Sequence, residues 1–548
     1  MKTGTICKVF MKFPKFMLFI LIGSFLFNLF CWLQVVFANQ FNFASLFQDD
    51  AYYYLLIAEN IVNDNGISCD GINPTTGFQP LYQLITIILV YFSNIVHTSV
   101  FKCIFFFNLV LVFIASFFIY KALNTYFDKS KKFIIFAVIL IFLPLNFSVV
   151  LKRLTSGMEM SLGFALLSIA TWATLHVKDW VARTISSRRW FMLGLLFGLI
   201  PLTRIDLGLF SALFSIYLLV ISIHFKKRLP PMFILGCIIP VLCYFAVAFL
   251  WFDSIVPVSF LAKQHYIAQW KSSMPLFDRL LLGLKSSFMM WLYPVTYLLF
   301  GYYWFAGFYG LAIAGIIIIV LGIIFIKTSY GKLFDKIRSP IVGVLFAALL
   351  HSILFGFSGS IYICPASFWY YTPQLLVVVI VFAILIGTGI CESTGFVRAV
   401  ALLLMFVFMA SSPLYSFSQD MESYQPLRNA IISVKKFTPE SSIIGSWDSG
   451  FNAYWLRPRI TVNLDGMVNS TDFLHKVVRT GNYNEYFEEK NITYLINIIR
   501  ANSPCEAAAE NNFFHSPNIK RDQYEIIDKT LFMRQNLVIY FVRLHKNQ

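Results

Sequence analysis

The sequence has 548 residues, of which 58% are hydrophobic and 18% aromatic, whereas only 13% are charged. A soluble domain typically has about 25% charged residues, so this composition excludes an ordinary soluble protein and indicates a polytopic membrane protein. The net charge of +16 arises mainly before residue 414. This distribution is typical of cytoplasmic loops that contact membrane lipids. Because the chain has no nucleic-acid-binding motif, we predict no nucleic-acid partner.

The first apolar segment, residues 16–38, follows four lysines near the N-terminus. It is too long for the hydrophobic region of a cleaved signal peptide and lacks a small-residue cleavage site, so it is predicted to be a signal anchor. The preceding lysines favour a cytoplasmic N-terminus. Residues 39–80 are therefore predicted to form the first outer loop.

Further apolar segments alternate with basic loops and are interpreted as membrane spans. Two others, at 81–97 and 284–302, break the alternation and are interpreted as short, re-entrant or lying on the outer surface. The predicted fold is an all-α polytopic membrane domain with about 11 to 13 transmembrane or re-entrant helices. Its remaining predicted spans lie near residues 101–120, 132–150, 158–177, 190–203, 206–224, 231–251, 305–326, 340–356, 371–389 and 397–413.

The composition becomes more polar after residue 413, which divides the chain into a membrane domain, 1–413, and a C-terminal domain, 414–548. Helical spacing is predicted over 421–437 and 472–490. Alternating or β-branched runs bounded by Pro, Gly and Asn predict strands over 451–470 and 491–499, and the run LVIYFVRL predicts a closing strand. We therefore expect an extracytoplasmic α+β domain at the C-terminus.

The first outer loop carries adjacent acids, Asp49 and Asp50, just before an aromatic cluster. Two neighbouring carboxylates beside a membrane are costly because like charges repel and lipid weakens their solvation. One interpretation is an acid-base centre. The alternative is capping of the following helix, since carboxylates favour a helix N-terminus.

Three outward or boundary cations, Arg204, Lys263 and His265, are candidates to stabilise an anionic leaving group. Arginine suits phosphate best because its planar guanidinium donates in a fork. Each cation also has an ordinary explanation. For Arg204 the alternative is an internal ion pair with Asp206. For Lys263 it is extension of the side chain to the lipid interface, and for His265 it is an ordinary solvated position in a loop.

The segment before Pro373 adds Tyr370 and Tyr371 as candidates for sugar stacking or a hydroxyl contact to phosphate. The alternative is an aromatic belt at the membrane interface. Turns containing Asp448 and Asp465 follow predicted strands in the tail and are interpreted mainly as local turn structure. The alternative, which the family resemblance given below implies, is that these turns form a rim that binds the acceptor.

The sequence resembles the GT-C superfamily of integral membrane glycosyltransferases, and within it the branch of the mycobacterial terminal arabinofuranosyltransferase and its bacterial relatives. The similarity spans most of the chain. The motifs that carry it are DDAYYY at 49–54, GINPTTGFQPL at 71–81, GME at 157–159, LTRID at 202–206, PVS at 257–259 with Lys263, and WYY at 369–371.

The resemblance implies an inverting transferase that uses a polyprenyl-phosphate-linked sugar and a glycan, lipid or protein acceptor. It implies an active site on the extracytoplasmic side of a bacterial inner membrane. It favours Asp49 as the base and Asp50 as the neighbour that orients the acceptor or a metal. Glu159 matches a second acidic position, and Arg204, Asp206, Lys263, His265, Tyr370 and Tyr371 are the accompanying substrate-binding candidates.

No nucleotide-binding motif is present, which favours a lipid-linked donor over a nucleotide sugar. No cofactor is predicted, and a divalent cation beside Asp49 or Asp50 is left as an open alternative because hard cations prefer carboxylate oxygens. A transporter or flippase of lipid-linked sugars is the rival function, although the acids cluster in an outer loop and not within the spans. A structural subunit of an envelope-assembly complex is a further alternative.

Overall fold

The computed structural model describes residues 23, 26, 28–30, 32–124, 129–143, 149–182, 186–226, 230–252, 254–272, 274–300, 331–358, 368–392, 417–500, 524–532 and 537–545. The spans predicted at 305–326 and 397–413 lie outside these residues. The described part contains a large helical portion followed by one mixed sheet with its own helices.

The described helices of this portion differ widely in length. Two short 3-10 helices, Ile205–Leu207 and Phe368–Tyr371, interrupt it. The α-helices are Gln40–Ala44, Asp49–Val62, Pro80–Ile95, Val100–Asn124, Lys129–Phe142, Val149–Leu154, Met160–Ala182, Ser187–Thr203, Gly208–Lys226, Pro231–Phe252, Val258–Ser272, Leu276–Phe300, Gly331–Ser358 and Thr372–Glu392.

Within the described ranges, three helices are long and apolar enough to cross a membrane: Val100–Asn124, Ile205–His224 and Pro231–Phe252. A helix suits this environment because it pairs its own backbone polar groups, which lipid cannot do. The shorter apolar helices are Asn28–Phe37, Pro80–Ile95, Met160–His176, Val344–Ser358 and Thr372–Ile386. The helical membrane architecture is thus supported, while the number of crossings stays a prediction.

Three predicted segments differ in detail from the structure. Within the span predicted at 132–150, the described helices are Lys129–Phe142 and the start of Val149–Leu154. The two segments that break the alternation are continuous helices, Pro80–Ile95 and Leu276–Phe300. Whether these two cross a membrane stays a prediction.

The C-terminal sheet has the strand order β2-β1-β3-β5-β4, with β1 parallel to β2 and β3, and β5 antiparallel to β3 and β4. The strands are β1 (Ile443–Ser446), β2 (Ile460–Asn463), β3 (Ile492–Arg500), β4 (Tyr524–Phe532) and β5 (Leu537–Leu544). The accompanying helical segments are Phe417–Phe437, Gly450–Trp455, Thr471–Phe473, Leu474–Val478 and Tyr483–Glu489. The predicted mixture of helices and strands is confirmed, but the strand predicted from 451 is wrong because residues 450–455 are helical.

Aromatic side chains join the helical portion to the sheet-bearing portion. The ring of Phe101 lies 5.7 Å from that of Tyr52 and 5.2 Å from that of Tyr454. Tyr52 also contacts Phe451 edge-on, with 5.5 Å between ring centroids. Such edge-to-face pairs add roughly 0.5–1.5 kcal/mol each beyond area burial. The helix Asp49–Val62 is therefore packed between a long apolar helix and the C-terminal part of the chain.

Candidate active site

The helix Asp49–Val62, here called the first-loop helix, directs its two aspartates toward different partners. Asp49 and Tyr53 are four residues apart, so they share one face, and Asp50 and Tyr54 share the neighbouring face. Asp49 Oδ2 accepts a hydrogen bond from the backbone N–H of Gly450 (3.1 Å), and Oδ1 accepts one from Phe451 (2.7 Å). Asp49 therefore caps the N-terminus of a helix about 400 residues further along the chain.

The same face of the first-loop helix makes further contacts with the C-terminal sheet portion. The Tyr53 hydroxyl accepts a hydrogen bond from the backbone N–H of Ser449, at 3.0 Å. Gly450 approaches so closely that a Cβ there would lie 2.2 Å from the Asp49 carbonyl oxygen. A side chain at residue 450 would push the two backbones apart. Glycine is therefore required at this contact.

The alternative weighed from the sequence, in which the aspartates cap their own helix, is not seen as a side-chain hydrogen bond. The N-cap residue of the first-loop helix is Gln48, which makes no side-chain capping hydrogen bond. Asp49 caps Gly450–Trp455 instead, because its carboxylate reaches the unpaired N–H groups at that helix start. Capping accounts for Asp49 and not for Asp50.

The second face of the first-loop helix points toward a group of cations. Tyr54 donates from its hydroxyl to Glu159 Oε2, at 3.0 Å. Asp50 is half-buried, and its carboxylate accepts no hydrogen bond from any residue that the structure describes. It experiences the positive charges of Lys263 and Arg204 and the negative charge of Asp448. Asp50 is thus a carboxylate with open acceptor capacity beside two cations.

Arg204 lies at the centre of a buried polar network. It lies between the helix Ser187–Thr203 and the short helix Ile205–Leu207, and its backbone is extended. Its Nη1 donates to Glu159 Oε1 at 2.7 Å, and its Nε donates to Asp206 Oδ1 at 2.9 Å. Asp206 Oδ2 lies 3.2 Å from His351 Nε2. The ion pair weighed from the sequence is present and is larger than predicted, since it includes Glu159 and His351.

Tyr370 brings Arg204 and Lys263 together. The Arg204 guanidinium carbon lies 4.8 Å from the centroid of the Tyr370 ring, and Lys263 Nζ lies 5.7 Å from it. Lys263 Nζ also donates to the Tyr370 hydroxyl, at 3.2 Å. A cation over an aromatic face is stabilised by the ring quadrupole. Arg204, Lys263 and Tyr370 therefore form one cationic cluster, which we call the cation cluster.

Two sequence candidates lie apart from the cation cluster. Tyr371 is 1% exposed and stacks on Tyr293, with 5.4 Å between ring centroids. His265 follows Lys263 by two residues on the helix Val258–Ser272, so the two side chains point in opposite directions. Burial and the charge of Arg479 lower the pKa of His265. A neutral imidazole facing Arg479 contributes no positive charge to the cluster.

Asp448 and Asp465 bring additional negative charge to this region. From the sequence, the segments that contain them are interpreted mainly as local turns. Ser446 and Asn463 are paired at the carboxyl ends of the parallel strands β1 and β2. The following turns therefore meet at one sheet edge, where the Asp448 N–H donates to Asp465 Oδ2 at 3.4 Å. The sequence feature that could have indicated this cluster is an aspartate in the turn after each of the two strands. The strand pairing that joins them is not readable from the sequence.

The negative groups raise one another's pKa values. Burial and the charges of Asp448 and Asp50 raise the pKa of Asp49 well above its ordinary value, against its two backbone hydrogen bonds. Burial also raises the pKa of Asp50, opposed by Lys263 and assisted by Asp448. Burial and Asp448 raise the pKa of Asp465 to about 7. The local environment thus favours proton uptake by these carboxyl groups.

A pH prediction follows from the charge on Asp448. If Asp50 must be ionised to accept a proton, activity is lost as the pH falls through its raised pKa. Removing the Asp448 charge lowers the pKa of Asp50. We expect Asp448→Asn to shift the acidic limb of the pH–rate profile to lower pH. Profiles of wild type and variant check this, and an unchanged or upward-shifted limb contradicts it.

The described residues do not form a metal site. Among them, no group of three or more His, Cys, Asp or Glu side chains is arranged to hold a metal ion. Both oxygens of Asp49 already accept backbone N–H groups.

Comparisons with known proteins identify a similar fold. No protein-family model and no curated protein matches the chain. The crystal structure of ArnT from Cupriavidus metallidurans bound to undecaprenyl phosphate is similar, with a TM-score of 0.52 and 13% identity over 95% of this chain and 97% of that chain. ArnT is a GT-C glycosyltransferase. The likeness shows that this chain shares the fold of that structure, and the mycobacterial branch stays a prediction.

Two further solved structures match with lower scores. ArnT from the same organism in the apo state gives a TM-score of 0.49 at 12% identity, over 95% of this chain and 98% of that chain. The Archaeoglobus fulgidus oligosaccharyltransferase tethered with an acceptor peptide gives 0.38 at 14% identity, over 82% and 64%. These two similarities are too low to support an argument about this chain.

Proposed function

We propose that the chain is an inverting glycosyltransferase that moves a sugar from a polyprenyl-phosphate carrier to an acceptor hydroxyl. The observation that carries the proposal is the juxtaposition of Asp50, whose carboxylate has no described hydrogen-bond partner, with the cation cluster. Sugar transfer needs these two parts, a base for the acceptor and positive charge for the departing phosphate. The similar ArnT structure is bound to undecaprenyl phosphate, which supports the same class of donor.

The cation cluster is proposed to bind the phosphate of the donor. Arg204 uses Nε and Nη1 for its two carboxylate partners, and its Nη2 donates to no residue in the described part of the chain. The buried guanidinium is fixed in direction by these two bonds. It is therefore preorganised to donate to a phosphate oxygen without rearrangement. Lys263 adds a second positive charge beside Tyr370.

Asp50 is proposed to be the base, in place of the sequence-based preference for Asp49. Asp49 holds the C-terminal portion through both of its oxygens. Asp50 faces the cations that would surround the donor phosphate. A base must lie near the anomeric carbon, and that carbon is bonded to the phosphate. The orientation of the first-loop helix therefore favours Asp50 for proton transfer and Asp49 for positioning.

The proposed reaction is one displacement at the anomeric carbon. The acceptor oxygen forms a bond to that carbon while its proton passes to Asp50. The bond between the carbon and the phosphate oxygen breaks, and its electron pair leaves with the polyprenyl phosphate. Arg204 and Lys263 stabilise the added negative charge. A single displacement from the opposite face inverts the anomeric configuration, which is the outcome that the resemblance implies.

The membrane setting completes the proposal. The apolar helices support an integral membrane protein. We propose that the first-loop helix and residues 414–548 lie on the extracytoplasmic side of a bacterial inner membrane. There they face a glycan, lipid or protein acceptor. In this arrangement the membrane domain ends near residue 413.

One assay distinguishes this function from a transporter or a structural subunit. Purified protein is incubated with radiolabelled polyprenyl-phosphate sugars and cell-envelope acceptors, and label in the acceptor is measured. A transferase moves label in wild type and not in Asp50→Asn. A flippase moves the lipid across vesicles without labelling an acceptor. A structural subunit does neither, and either of these two results overturns the proposal.

Arg204 provides a second prediction. We expect Arg204→Gln to weaken donor use by at least about 100-fold, because a charge-assisted contact to phosphate is lost and two buried carboxylates lose their partner. Arg204→Lys should rescue donor use only in part, since lysine cannot form the same fork. Initial rates at varied donor concentration measure the effect, with the unfolding temperature as the control. A loss of stability with unchanged donor use supports a purely structural ion pair.

A further inference from the structure

His351 is a buried histidine at the end of the Arg204 network, and the proposed mechanism leaves it without a role. It is 0% exposed within the helix Gly331–Ser358. Its Nε2 lies 3.2 Å from Asp206 Oδ2, and its Nδ1 lies 3.2 Å from Gln374 Nε2. Both ring nitrogens therefore have polar partners. A lone histidine in an apolar helix gives no such indication in the sequence.

The partners of Gln374 determine the direction of these hydrogen bonds. Gln374 Nε2 donates to the Ala348 carbonyl oxygen at 3.0 Å, which identifies that end of the amide as its nitrogen. The second N–H on the same nitrogen then donates to His351 Nδ1. With Nδ1 as the acceptor, a neutral imidazole carries its proton on Nε2. His351 therefore donates to Asp206.

Aromatic packing fixes the plane of the His351 ring. Phe355, one helical turn later, stacks on the imidazole with 4.7 Å between centroids and 19° between planes. Phe210 contacts it edge-on at 6.0 Å. The ring thus has a defined plane as well as defined hydrogen bonds. Asp206 is held from one side by this ring and from the other by Arg204.

We propose that His351 and Gln374 are positioning residues that orient Arg204 toward the phosphate of the lipid-linked donor. The route runs from Gln374 through His351 and Asp206 to Arg204, with each contact between 2.9 and 3.2 Å. Without the imidazole donor, Asp206 loses one of its two anchors and the direction of the guanidinium is less well defined. This inference rests on the proposed function.

The distinguishing consequence is selectivity for the phosphate. A network that merely holds helices together affects folding and all ligands equally. A network that orients a cation affects a ligand with a phosphate and spares the same ligand without it. Undecaprenyl phosphate and the neutral alcohol undecaprenol form such a pair, since they share the same hydrocarbon tail.

The experiment measures the binding of undecaprenyl phosphate and undecaprenol to the full-length protein in detergent. We expect His351→Leu to weaken the binding of undecaprenyl phosphate by up to about tenfold, the factor that corresponds to the loss of one hydrogen bond. Undecaprenol binding should change less than about twofold, within the error expected for an unaffected apolar contact. His351→Gln should bind undecaprenyl phosphate more tightly than His351→Leu but less tightly than wild type, because a glutamine amide places an N–H donor near the former Nε2 and no acceptor near the former Nδ1.

Two more variants keep the test decisive. Gln374→Met removes the N–H group that donates to His351 and keeps a similar side-chain size, so it should also weaken the binding of undecaprenyl phosphate. The proposal is therefore still tested if His351→Leu does not fold. His176→Leu is the matched control. This histidine bonds the Trp172 carbonyl in another apolar helix, and phosphate binding should be unchanged.

The outcomes separate the two proposals. Loss of undecaprenyl phosphate binding in Arg204→Gln but not in His351→Leu and Gln374→Met overturns the positioning role and leaves the phosphate site intact. No loss in Arg204→Gln overturns the proposed phosphate site itself. Equal weakening of undecaprenol and its phosphate in His351→Leu also overturns the positioning role, because it indicates a general packing defect.

Discussion

Replacing Asp50 with asparagine is expected to lower sugar transfer by about 10²- to 10⁴-fold, the usual contribution of a general base. Asparagine has nearly the same shape but cannot accept the proton of the acceptor hydroxyl. Its cost to folding should be small, because the Asp50 carboxylate accepts no hydrogen bond from the described residues. Removing its negative charge loses the attraction of Lys263 and Arg204 but relieves the repulsion from Asp448. The turnover number of purified Asp50→Asn at saturating donor measures the effect.

The matched control is Asp49→Asn, one residue away. Asparagine retains only one acceptor oxygen, so one of the N–H groups of Gly450 and Phe451 loses its bond. Loss of such a buried partner costs about 1–3 kcal/mol. We expect Asp49→Asn to lower the unfolding temperature and to retain more transfer activity than Asp50→Asn. If Asp49→Asn is inactive at full stability while Asp50→Asn still transfers sugar, the two roles are exchanged.

The sequence singles out Asp49 and Asp50 as candidates, but it does not predict that the two acids have different partners. Neighbouring residues on a helix point about 100° apart, so Asp49 and Asp50 necessarily face different surroundings. Those surroundings come from distant parts of the chain, Gly450 on one side and Arg204 on the other. Composition and motif position cannot identify such partners, because they depend on tertiary packing.

Only part of the C-terminal domain was predicted correctly, for a similar reason. The run from Phe451 to Trp455 is rich in aromatic residues, which favour strands, yet it forms a helix. Its first N–H groups are satisfied by Asp49, which is a contact from outside the segment. Tertiary contacts override local propensity in such cases. The closing strand Leu537–Leu544 matches its prediction, because it is buried within the sheet and has a strongly apolar sequence.

In the polar network around Arg204, hydropathy identifies the charged residues but not their neutral partners. Arg204 and Asp206 stand out because charges are rare in apolar segments, and an ion pair between them was among the alternatives weighed. His351 and Gln374 do not stand out, since a single neutral polar residue is tolerated in a buried helix. Their function depends on the distance between helices, such as the 3.2 Å from His351 to Asp206. Sequence periodicity contains no information on that distance.

Gly450→Ala is expected to disrupt the contact between the first-loop helix and the C-terminal sheet portion. The added Cβ would lie 2.2 Å from the Asp49 carbonyl oxygen and 3.1 Å from its Oδ2. Backbone atoms cannot rotate away, so the two segments must separate and both capping bonds to Asp49 lengthen. Overpacking of this kind typically costs about 1–3 kcal/mol. We expect a lower unfolding temperature, faster proteolysis of residues 414–548 and at least about tenfold slower transfer, since misplacement of about 1 Å at a reacting group costs about 100-fold.

Gly208→Ala is the control for the change of residue type. Gly208 also begins a helix, but a Cβ there meets its nearest atom, Pro201 Cβ, at 3.4 Å, an ordinary contact. Alanine is a better helix former than glycine by up to about 1 kcal/mol, so this variant should be at least as stable as wild type. If Gly450→Ala matches Gly208→Ala in stability, proteolysis and transfer, the C-terminal portion does not hold the first-loop helix in its active position. The assignment of Asp49 as a positioning residue then fails, because its partner can be displaced without effect.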